Sequence, residues 1–593
     1  MRCIRIEYQG FKRLANTSCN TDGKLIAFLG PNEAGKSSVL EGLDWLSHAE
    51  EPLPGRLRNR TLKPSDATGP IVRATFFLTT NDRAAISHLP ARDDVLRFVM
   101  ARYADGQVRT AVEPVPSRKT EPFDAVRDEI RARSDLPDEQ MSAAARAGWD
   151  IIGALLEAPD DPWQDENDES FGALIDWLRQ PLALEPDVAG EEAEVSEPQA
   201  DPRDLRLAGL LERVRGVLQS DHPSDSARHI LLTRVPEFTL FGDADRNLQF
   251  SYDMADANLR DAPPQALANL LGVADLDLNE LWQQINDGDD GAALTTERRA
   301  NEQLRASLGP KWRQESIDVA FKVSGTRLQI LIVETSDNGA NTPITERSDG
   351  LRMFVALVAF LAWHSFHVPP ILLIDEAETH LHYDAQADLL EVLASDVDAT
   401  QVFYTTHSPG CLPKDLGTGV RLVAPSAGRR DASELRNDFW TNERPGFTPL
   451  LFAMGAGAAA FSAFRRAVLT EGAADMILLP SLFRLATGTS DLPYQVAPGL
   501  SNHRGSGLEL EETAARVVYL VDGDAGGRKH AKWLTEVGID PGRVFTLAKG
   551  WATEDYVDPD RYLEVVNAMM ASAPDSKPVT FKISIERNRS AKL

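Results

Sequence analysis

Apolar and polar positions near the start of the chain follow a strand pattern and then a helix pattern. Residues Cys3–Tyr8 alternate between the two classes, and the apolar run at 25–29 ends in a turn that contains glycines. After this turn, one face of a helix is apolar and consists of Val39, Leu40, Leu43 and Leu46. The order strand, loop, helix is therefore predicted for residues 1–48.

The same patterns divide the rest of the chain into alternating regions. Strands are predicted at 71–78, 97–103, 316–334, 371–375 and 401–406, the first two of them antiparallel. Helices are predicted between Glu121 and Leu218. A second alternation of strands and helices follows, with strands at 467–472, 517–524 and 544–550. We therefore expect an α/β multidomain protein.

Two acidic runs interrupt the helical region. Asp160–Glu169 holds six acidic residues and no basic one, and Glu185–Asp204 holds eight acidic residues against Arg203 alone. Runs of this kind are usually solvated linkers. With these breaks and the changes in pattern, we predict four regions, at 1–120, 121–310, 311–450 and 466–580.

The overall charge limits the classes of function. The 593 residues include 62 basic and 90 acidic side chains, which gives a net charge of −28. This balance excludes a chain that coats nucleic acid through bulk positive charge, although a local basic groove remains compatible with it. Three cysteines are too few for a disulfide framework, and no apolar run reaches the length of a membrane span. We therefore expect a cytoplasmic protein that is not bound to a membrane.

The first glycine turn contains the motif of a phosphate-binding loop. Residues 30–37 read GPNEAGKS and match G-x-x-x-x-G-K-[ST] between a predicted strand and a predicted helix. The glycines let backbone N–H groups turn towards the β-phosphate, Lys36 reaches the β/γ oxygens, and Ser37 can ligate Mg²⁺. A glycine turn that precedes a helix by chance is the alternative. The predicted ATP-binding residues are Gly30, Asn32, Gly35, Lys36, Ser37 and Ser38.

A pair of acidic residues supplies the other half of this predicted site. Asp375 and Glu376 follow four apolar residues, as expected for a buried parallel strand whose end faces a ligand. Asp375 would hold Mg²⁺ through water, and Glu376 would orient or deprotonate the attacking water. His407 follows another apolar strand and could contact the γ-phosphate, although an isolated histidine in this position is more often structural.

Together these motifs resemble the ABC-type ATPase heads of the SMC, RecF and OLD proteins. The resemblance is carried by GPNEAGKSS, the adjacent Asp375 and Glu376, and His407 within TTHSP. It implies a signature segment upstream of Asp375 that contacts the γ-phosphate bound by the opposite protomer. Ser348 and Gly350 are the best match to that segment. A trans role for Ser348 would require a dimer of heads.

A second set of acidic residues lies in the last region. Glu471 follows one predicted strand, and Asp522 and Asp524 follow another about 50 residues later. This E-G and D-G-D pattern resembles the Toprim fold, in which carboxylates collect divalent metal. Asp475 and Glu554 could add ligands. The expected metal is Mg²⁺, with Mn²⁺ as an alternative, and an unrelated α/β domain is the competing interpretation.

An ABC-type head followed by Toprim resembles the OLD family (overcoming lysogenization defect), which includes Gabija-type anti-phage effectors. The resemblance covers about 1–110 and 315–593 and implies that regions 1–120 and 311–450 form the P-loop ATPase head. Region 121–310 would be a helical insertion used for dimerisation, and region 466–580 the Toprim nuclease domain. The family also has a late basic residue near the scissile phosphate, for which Lys582 and Lys592 are candidates.

Two functions of different classes follow. The first is an ATP-hydrolysing, metal-dependent DNA endonuclease in anti-phage defence, with Glu376, His407, Glu471, Asp522 and Asp524 as catalytic residues. The second is a RecF- or SMC-like ATP-gated protein that binds DNA without cutting it. DNA and a second copy of the chain are the expected partners, with a helicase or another defence-system protein as a further one. A third interpretation, a topoisomerase or primase, lacks support, because the sequence has neither a tyrosine-bearing strand-passage region nor a zinc-ribbon cysteine pattern.

Overall fold

The computed structural model describes most of the chain in two compact units. The described residues are 1–48, 52–60, 69–91, 93–133, 141–160, 163–164, 166–180, 200–308, 317–334, 340–364, 366–379, 381, 383–395, 397–426, 429–437, 466–489, 492–498 and 517–563. The first unit comprises Met1, Thr75–Met100 and Arg109–Val235, and the second comprises Arg2–Ala74, Ala101–Val108 and Pro236–Leu593. Most of the acidic run at 185–204 lies outside the described residues, as do Lys582 and Lys592.

The first elements follow the predicted order of strand, loop and helix. They are β1 (Arg2–Phe11), β2 (Leu14–Asn20), β3 (Leu25–Leu29), α1 (Lys36–His48), β4 (Val72–Phe77), α2 (Thr80–Ile86), β5 (Arg97–Arg102) and β6 (Val108–Glu113). Strands β1 and β2 form an antiparallel pair. Strands β4 and β5 confirm the strands predicted at 71–78 and 97–103.

Both units contain part of the strand region around β4, β5 and β6. In the second unit, the backbone of Ile71 bonds to Gln9 of β1 at 2.8 Å and to Arg102 of β5 at 2.9 Å. In the first unit, the N–H of Leu78 donates to the carbonyl of Leu96, and the N–H of Leu96 donates to that of Glu113. The ends of these strands are therefore held by ladder hydrogen bonds within each unit.

Helices make up most of the first unit. They are α3 (Glu121–Arg131), α4 (Ala143–Glu157), α5 (Glu166–Leu178), α6 (Pro202–Gln219) and α7 (Pro223–Leu232). Ser142 and Asp201 cap α4 and α6 by accepting backbone N–H groups of the first turn. The apolar faces of α3 to α6 meet in one core that includes fully buried Phe123 and Phe171. These helices confirm the helical pattern predicted between Glu121 and Leu218.

The second unit continues with strands that belong to two sheets and with the helices between those strands. These elements are β7 (Phe238–Phe241), α8 (Asp243–Arg246), β8 (Ser251–Asp253), α9 (Ala257–Asp261), α10 (Gln265–Ala274), α11 (Leu278–Asn286), α12 (Asp290–Leu308), β9 (Ile317–Ser324), β10 (Arg327–Glu334), β11 (Asn341–Pro343), α13 (Asp349–Trp363), β12 (Ile371–Ile374), α14 (Tyr383–Ser395), β13 (Gln401–Thr405), α15 (Leu416–Gly419), β14 (Val420–Ser426) and β15 (Arg429–Arg436). An antiparallel sheet contains β11, β10 and β8 in that order, and β9 also pairs with β10.

A six-stranded sheet positions the predicted nucleotide site. Its strand order is β15-β14-β3-β13-β12-β7, and the five strands from β14 to β7 are parallel. The loops after β3, β12 and β13 therefore leave the same edge of the sheet. These loops carry the glycine motif, Asp375 and His407, respectively. The sheet thus brings together sequence segments that lie hundreds of residues apart.

The region 121–310, predicted as a helical insertion, contains strands as well as helices. Strand β7 pairs with β12 in the parallel sheet, and β8 pairs with β10 in the antiparallel sheet. The strand FTLF at 238–241 is too short to be distinguished from a buried helix segment by its pattern. Burial of Phe238 and Phe241 beside β12 favours the strand.

A smaller parallel sheet forms the last described region. Its elements are β16 (Ala467–Thr470), α16 (Ala473–Thr487), β17 (Gln495–Pro498), β18 (Val517–Val521), α17 (Ala525–Glu536) and β19 (Val544–Thr546). The strand order is β17-β16-β18-β19, and every pair is parallel. The α/β alternation predicted from residue 467 onwards is therefore confirmed.

The cysteines have a packing role in the fold. Cys3, Cys19 and Cys411 are unpaired and buried. Burial raises the pKa of the Cys3 and Cys19 thiols to about 12, so neither is a reactive thiolate near neutral pH. In the part of the chain that the structure describes, no helix combines the length and the apolar character needed to cross a membrane.

Candidate nucleotide and carboxylate sites

The glycine loop after β3 has the backbone geometry of a phosphate-binding turn. Gly35 has a φ of +95°, which side chains with a Cβ rarely adopt. At Gly30, a Cβ atom would lie 2.1 Å from the carbonyl oxygen of Val423, so the loop can pass β14 only with glycine there. Asn32 is exposed, whereas Ser37 and Ser38 lie in the first turn of α1. The loop therefore ends at a helix N-terminus, which favours anions.

Lys36 is held inside this loop. Lys36 is 6% exposed, and its Nζ donates to the carbonyls of Gly30 and Pro31 at 3.1 and 3.2 Å. Burial lowers the pKa of Lys36, and the carboxylates of Glu376, Asp375 and Glu378 oppose that shift. The predicted lysine and the predicted acidic pair thus act on one another across the sheet edge.

Asp375 and Glu376 are fixed by the neighbouring strand. Thr405, the last residue of β13, donates its hydroxyl to Asp375 Oδ1 at 2.5 Å and accepts the N–H of Glu376 at 2.7 Å. Glu376 has a φ of +47°, a conformation that is uncommon for a residue other than glycine. Backbone strain of this kind persists when several surrounding contacts enforce it, and it is frequent at functional sites.

Arg246 is a site residue that the sequence interpretation missed. From α8, its guanidinium donates to the backbone carbonyls of Asp375, Glu376 and Phe241, the last two at 3.2 Å. Burial lowers the pKa of Arg246, and nearby carboxylates, including Asp375 and Glu376, oppose the shift. Its sequence signal is an isolated arginine in a short polar turn, which no motif distinguishes.

His407 and Ser348 occupy different positions relative to this site. The backbone N–H of His407 donates to Glu378 Oε1 at 2.5 Å, which ties the end of β13 to the segment after β12. Ser348 is exposed and caps α13, its Oγ accepting the N–H of Leu351 at 3.3 Å. Gly350 lies in the first turn of the same helix. Within one chain, Ser348 serves as the cap of α13. Because Ser348 is exposed, a contact with a second copy is sterically open to it, and the trans role remains a proposal.

The second set of acidic residues converges at the edge of the smaller sheet. Glu471 and Asp522 follow the adjacent parallel strands β16 and β18, and the N–H of Asp522 donates to Glu471 Oε1 at 2.9 Å. Asp475 lies in the first turn of α16 and accepts the hydroxyl of Thr553 at 2.5 Å. Asp524 caps α17, and Glu554 lies in the short 3₁₀ helix that begins at Thr553.

The electrostatics of Asp522 reflect this convergence. Burial, followed by the charges of Asp475, Glu471, Glu554 and Asp524, raises the pKa of Asp522 to about 7. Burial also raises the pKa of Glu554, with a further contribution from Asp475. The five acidic residues singled out in the sequence therefore share one electrostatic environment.

The carboxylate set offers the oxygen donors that Mg²⁺ and Mn²⁺ prefer, but it is not a closed ligand shell. Among the described residues, no group of three or more His, Cys, Asp or Glu side chains could already hold a metal ion. One reason is that Asp475 and Asp524 accept backbone N–H groups of Gly472 and Gly527. The donor chemistry thus fits a divalent cation, and binding requires movement of these side chains.

His530 is a second residue that the sequence interpretation missed. It lies on α17, and its Nδ1 is 3.0 Å from Glu471 Oε2. The spacing from Asp522 to His530 matches no motif. The histidine lies on the helix after β18 and contacts Glu471, which follows the adjacent strand β16.

A family model identifies part of the first site. The model described as "AAA domain, putative AbiEii toxin, Type IV TA system" matches residues 191–412, which is less than half of the chain. The matched range contains Arg246, Asp375, Glu376 and His407, whereas the glycine loop lies outside it. The chain therefore contains an ATPase domain. Domains of this kind bind ATP, usually with Mg²⁺.

Solved structures of SMC heads are similar at a low level. The SMC head domain from Thermotoga maritima is 11% identical, with 74% of this chain and 98% of that chain covered and a TM-score of 0.30. A SmcHead bound to the C-winged helix domain of ScpA is 12% identical, with 74% and 98% covered and a TM-score of 0.29. An Smc head with an extended coiled coil, bound to the C-terminal domain of ScpA derived from Pyrococcus furiosus, is 15% identical, with 73% and 96% covered and a TM-score of 0.26. Similarities at this level define neither the fold nor the function of this chain.

Proposed function

We propose that the chain is a metal-dependent DNA endonuclease whose cutting depends on the nucleotide state of its ATPase domain. The ATPase domain supplies the first half of this proposal. The carboxylate set beside Asp522 supplies the second, and its convergence is the observation that carries the nuclease assignment. The Toprim identity of the last region belongs to the same proposal.

At the nucleotide site, each residue has a separate task. Lys36 offsets negative charge on the β/γ oxygens, while Ser37 and Asp375 hold the Mg²⁺ that accompanies ATP. Glu376 orients or deprotonates the attacking water, and His407 contacts the γ-phosphate. The contacts from Thr405 and Arg246 support this division, because they fix the backbone of the acidic pair before ATP binds.

At the carboxylate site, Glu471, Asp522 and Asp524 serve as the main ligands, with Asp475 and Glu554 at the periphery. A bound Mg²⁺, or Mn²⁺ in its place, would activate the nucleophile and stabilise charge on the phosphodiester. The protein's own contribution is to hold carboxylates at adjacent strand ends and to exclude bulk water by partial burial. The placement of Glu471 and Asp522 at adjacent strand ends supports a cation site, because a cation relieves the repulsion between close carboxylates.

Cleavage of plasmid DNA tests the proposal. Purified protein is incubated with Mg²⁺ or Mn²⁺, with and without ATP, and compared with Asp522→Ala and Asp524→Ala. We expect cleavage to fall by at least about 10²-fold in both variants, because a metal-held nucleophile is lost. ATP hydrolysis is expected to persist in both.

A matched control is Glu536→Gln, which changes an exposed acid at the end of α17. This variant should cut like the wild type. Cleavage by Asp524→Ala at the wild-type rate would reject the nuclease assignment.

The second candidate is an ATP-gated DNA-binding protein without cleavage. It is favoured by the hydrogen bonds that engage Asp475 and Asp524 and by the lack of a ready-made metal group in the described residues. In that case, the wild type would bind DNA in an ATP-dependent manner and leave it intact with either metal. The plasmid assay combined with a binding measurement separates the two candidates.

The proposed assembly is a homodimer or larger homo-oligomer in which Ser348 and Gly350 of one copy complete the ATP site of another. Mixing Lys36→Ala protein with Ser348→Ala protein tests it. A mixed dimer contains one site with both residues intact, so the mixture should regain hydrolysis that neither variant has alone. A mixture that stays inactive would contradict the trans role. Anti-phage defence and a helicase or other defence-system partner rest on the sequence resemblance alone.

A further inference from the structure

Two aromatic side chains are exposed next to the carboxylate site. Trp551 and Tyr556 are 43% and 45% exposed, and their ring centroids lie 4.8 Å apart with an interplanar angle of 59°. Each ring covers part of the other and presents its remaining surface to solvent. Large exposed aromatic surfaces beside a polar site are typical of binding surfaces.

Backbone contacts fix this pair to the turn that carries Asp522 and Asp524. The N–H of Gly523 donates to the carbonyl of Trp551, and the N–H of Gly550 donates to the carbonyl of Gly523, both at 2.8 Å. A Cβ at Gly523 would lie 1.8 Å from the carbonyl oxygen of Ala548, so the two segments touch backbone to backbone. The aromatic pair therefore keeps a fixed position relative to the acidic residues.

Basic side chains accompany the pair in an otherwise acidic protein. Lys549 is exposed two residues before Trp551. Exposed Arg528 donates from Nη1 to the carbonyl of Gly523 at 2.9 Å, which places its guanidinium at the same turn. Asp555, the nearest acid in the sequence to Tyr556, accepts the N–H of Ala552 at 2.9 Å and so faces the start of the 3₁₀ helix. Cationic groups and ring faces thus occur together, as nucleotide binding requires.

We propose that Trp551 and Tyr556 stack on an unpaired base of a DNA strand while Lys549 and Arg528 contact its phosphates, so that the carboxylate site acts on single-stranded DNA. This inference rests on the proposed function and specifies its substrate class. An unpaired base is required because neighbouring base pairs cover both faces of a base inside a duplex. Exposed rings next to lysine and arginine fit single strands of any sequence, since every base has a flat face.

Fluorescence anisotropy with a labelled oligothymidylate and with a duplex of the same length tests the inference. Both are measured in Ca²⁺, which also takes oxygen ligands. Trp551→Ala should weaken binding of the single strand by about 10-fold or more and leave duplex binding nearly unchanged. Trp551→Phe keeps a ring face and should restore most of the affinity. ATP hydrolysis by each variant checks folding.

Phe545→Ala is the matched control, because Phe545 is also an exposed aromatic residue, 54% exposed, on β19. It should bind both DNAs like the wild type. Equal binding of the single strand by Trp551→Ala and wild type, or an equal loss for both DNAs, would overturn the inference, and a surface for a protein partner would then explain the rings. Cleavage with Mg²⁺ is measured in parallel. Wild type that binds single strands through Trp551 but never cuts would reject the nuclease proposal and retain this one.

Discussion

The nucleotide site and the carboxylate site are built on the same plan but differ in how their charges are compensated. In both, acidic residues follow the carboxyl ends of parallel strands, the single strand β12 at the first site and the adjacent strands β16 and β18 at the second. At the first, Lys36 and Arg246 bring positive charge to the acidic pair, and Thr405 binds both acids. At the second, burial raises the pKa of Asp522 to about 7, and the charges of four other acidic residues add to this shift.

This difference indicates which site can form without a ligand. An acid beside a buried cation is stable in its charged form, whereas several close carboxylates repel one another unless a proton or metal ion lies among them. We therefore expect the acidic pair of the nucleotide site to keep its arrangement when ATP is absent. By contrast, we expect the carboxylate set to need a cation to hold its charged side chains close together.

The largest effect is expected from substitutions at the nucleotide site. Lys36→Ala removes the charge that offsets the β/γ oxygens and should reduce ATP hydrolysis by at least about 10²-fold, measured as phosphate release. Glu376→Gln should retain ATP binding but hydrolyse it slowly, because the water is no longer activated. Unchanged turnover in Glu376→Gln would mean that another residue activates the water.

Arg246 tests whether the preformed backbone of the first site matters. Arg246→Met removes the donors to the carbonyls of Asp375 and Glu376, so Glu376 is less firmly held at its φ of +47°. We expect kcat to fall by about 10-fold while ATP affinity changes little, because hydrogen bonds to a charged group are worth about 1.5–3 kcal/mol. Arg298→Met, at an exposed arginine on α12, is the control. Equal losses in both variants would assign Arg246 a general structural role.

A pH series sharpens the contrast at the second site. The pKa of Asp522 is raised from its ordinary 3.8 to about 7, so the folded state binds this proton more tightly than the unfolded chain. Its contribution to stability is full below the ordinary pKa and is lost as the pH rises through the raised one. Without divalent metal, the contribution of Asp522 should therefore lower the melting temperature of the protein as the pH rises from about 4 to about 7.

Metal addition should reverse this trend. Mg²⁺ is expected to raise the melting temperature more at the higher pH, where Asp522 is charged, and Asp522→Asn should flatten both dependences. Asp540→Asn, at an exposed acid in the same region, provides the comparison. A wild-type profile that is as flat as that of Asp522→Asn would show that the acids do not interact.

The smallest expected effect concerns the connection between the two sites. Arg484 of α16 donates to Asp415 at 2.7 Å, and Asp415 caps α15. At Gly417, a Cβ would lie 2.9 Å from the carbonyl oxygen of Met476 in α16, the helix that carries Asp475 in its first turn. Arg484→Met should lower the free energy of unfolding by about 1 kcal/mol or less, since the ion pair with Asp415 is partly exposed. The variant should also reduce the effect of ATP on DNA cleavage. An unaltered response to ATP would show that the contact between Arg484 and Asp415 does not connect the two sites.

Local motifs were predictable from the sequence, whereas long-range contacts were not. The glycine loop, Asp375 and His407 are recognisable because each depends on a strand and the residues directly after it. Arg246 acts through backbone carbonyls 129 and 130 residues away, which leaves no spacing pattern. Strand β7 was not recognised within region 121–310, because the four residues FTLF do not reveal a sheet partner.

The carboxylate site illustrates the same limit. Its five acids could be grouped from their places after strands and at the starts of helices. The hydrogen bond from Thr553 to Asp475 could not, because these two residues lie 78 positions apart and meet only when separate turns fold together. His530 was missed for a similar reason, since its contact with Glu471 depends on the side-by-side placement of β16 and β18.

The position of β3 has a consequence for synthesis of the protein. Both neighbours of β3 in its sheet, β13 and β14, come from the distant part of the chain, and Gln401 binds Cys3 across 398 residues. A ribosome must therefore complete most of the chain before the strand that precedes the glycine loop finds its partners. Until then, the nascent chain has no assembled ATP site. Late closure of this sheet thus delays ATP-dependent activity until the chain has been synthesised at least as far as β14.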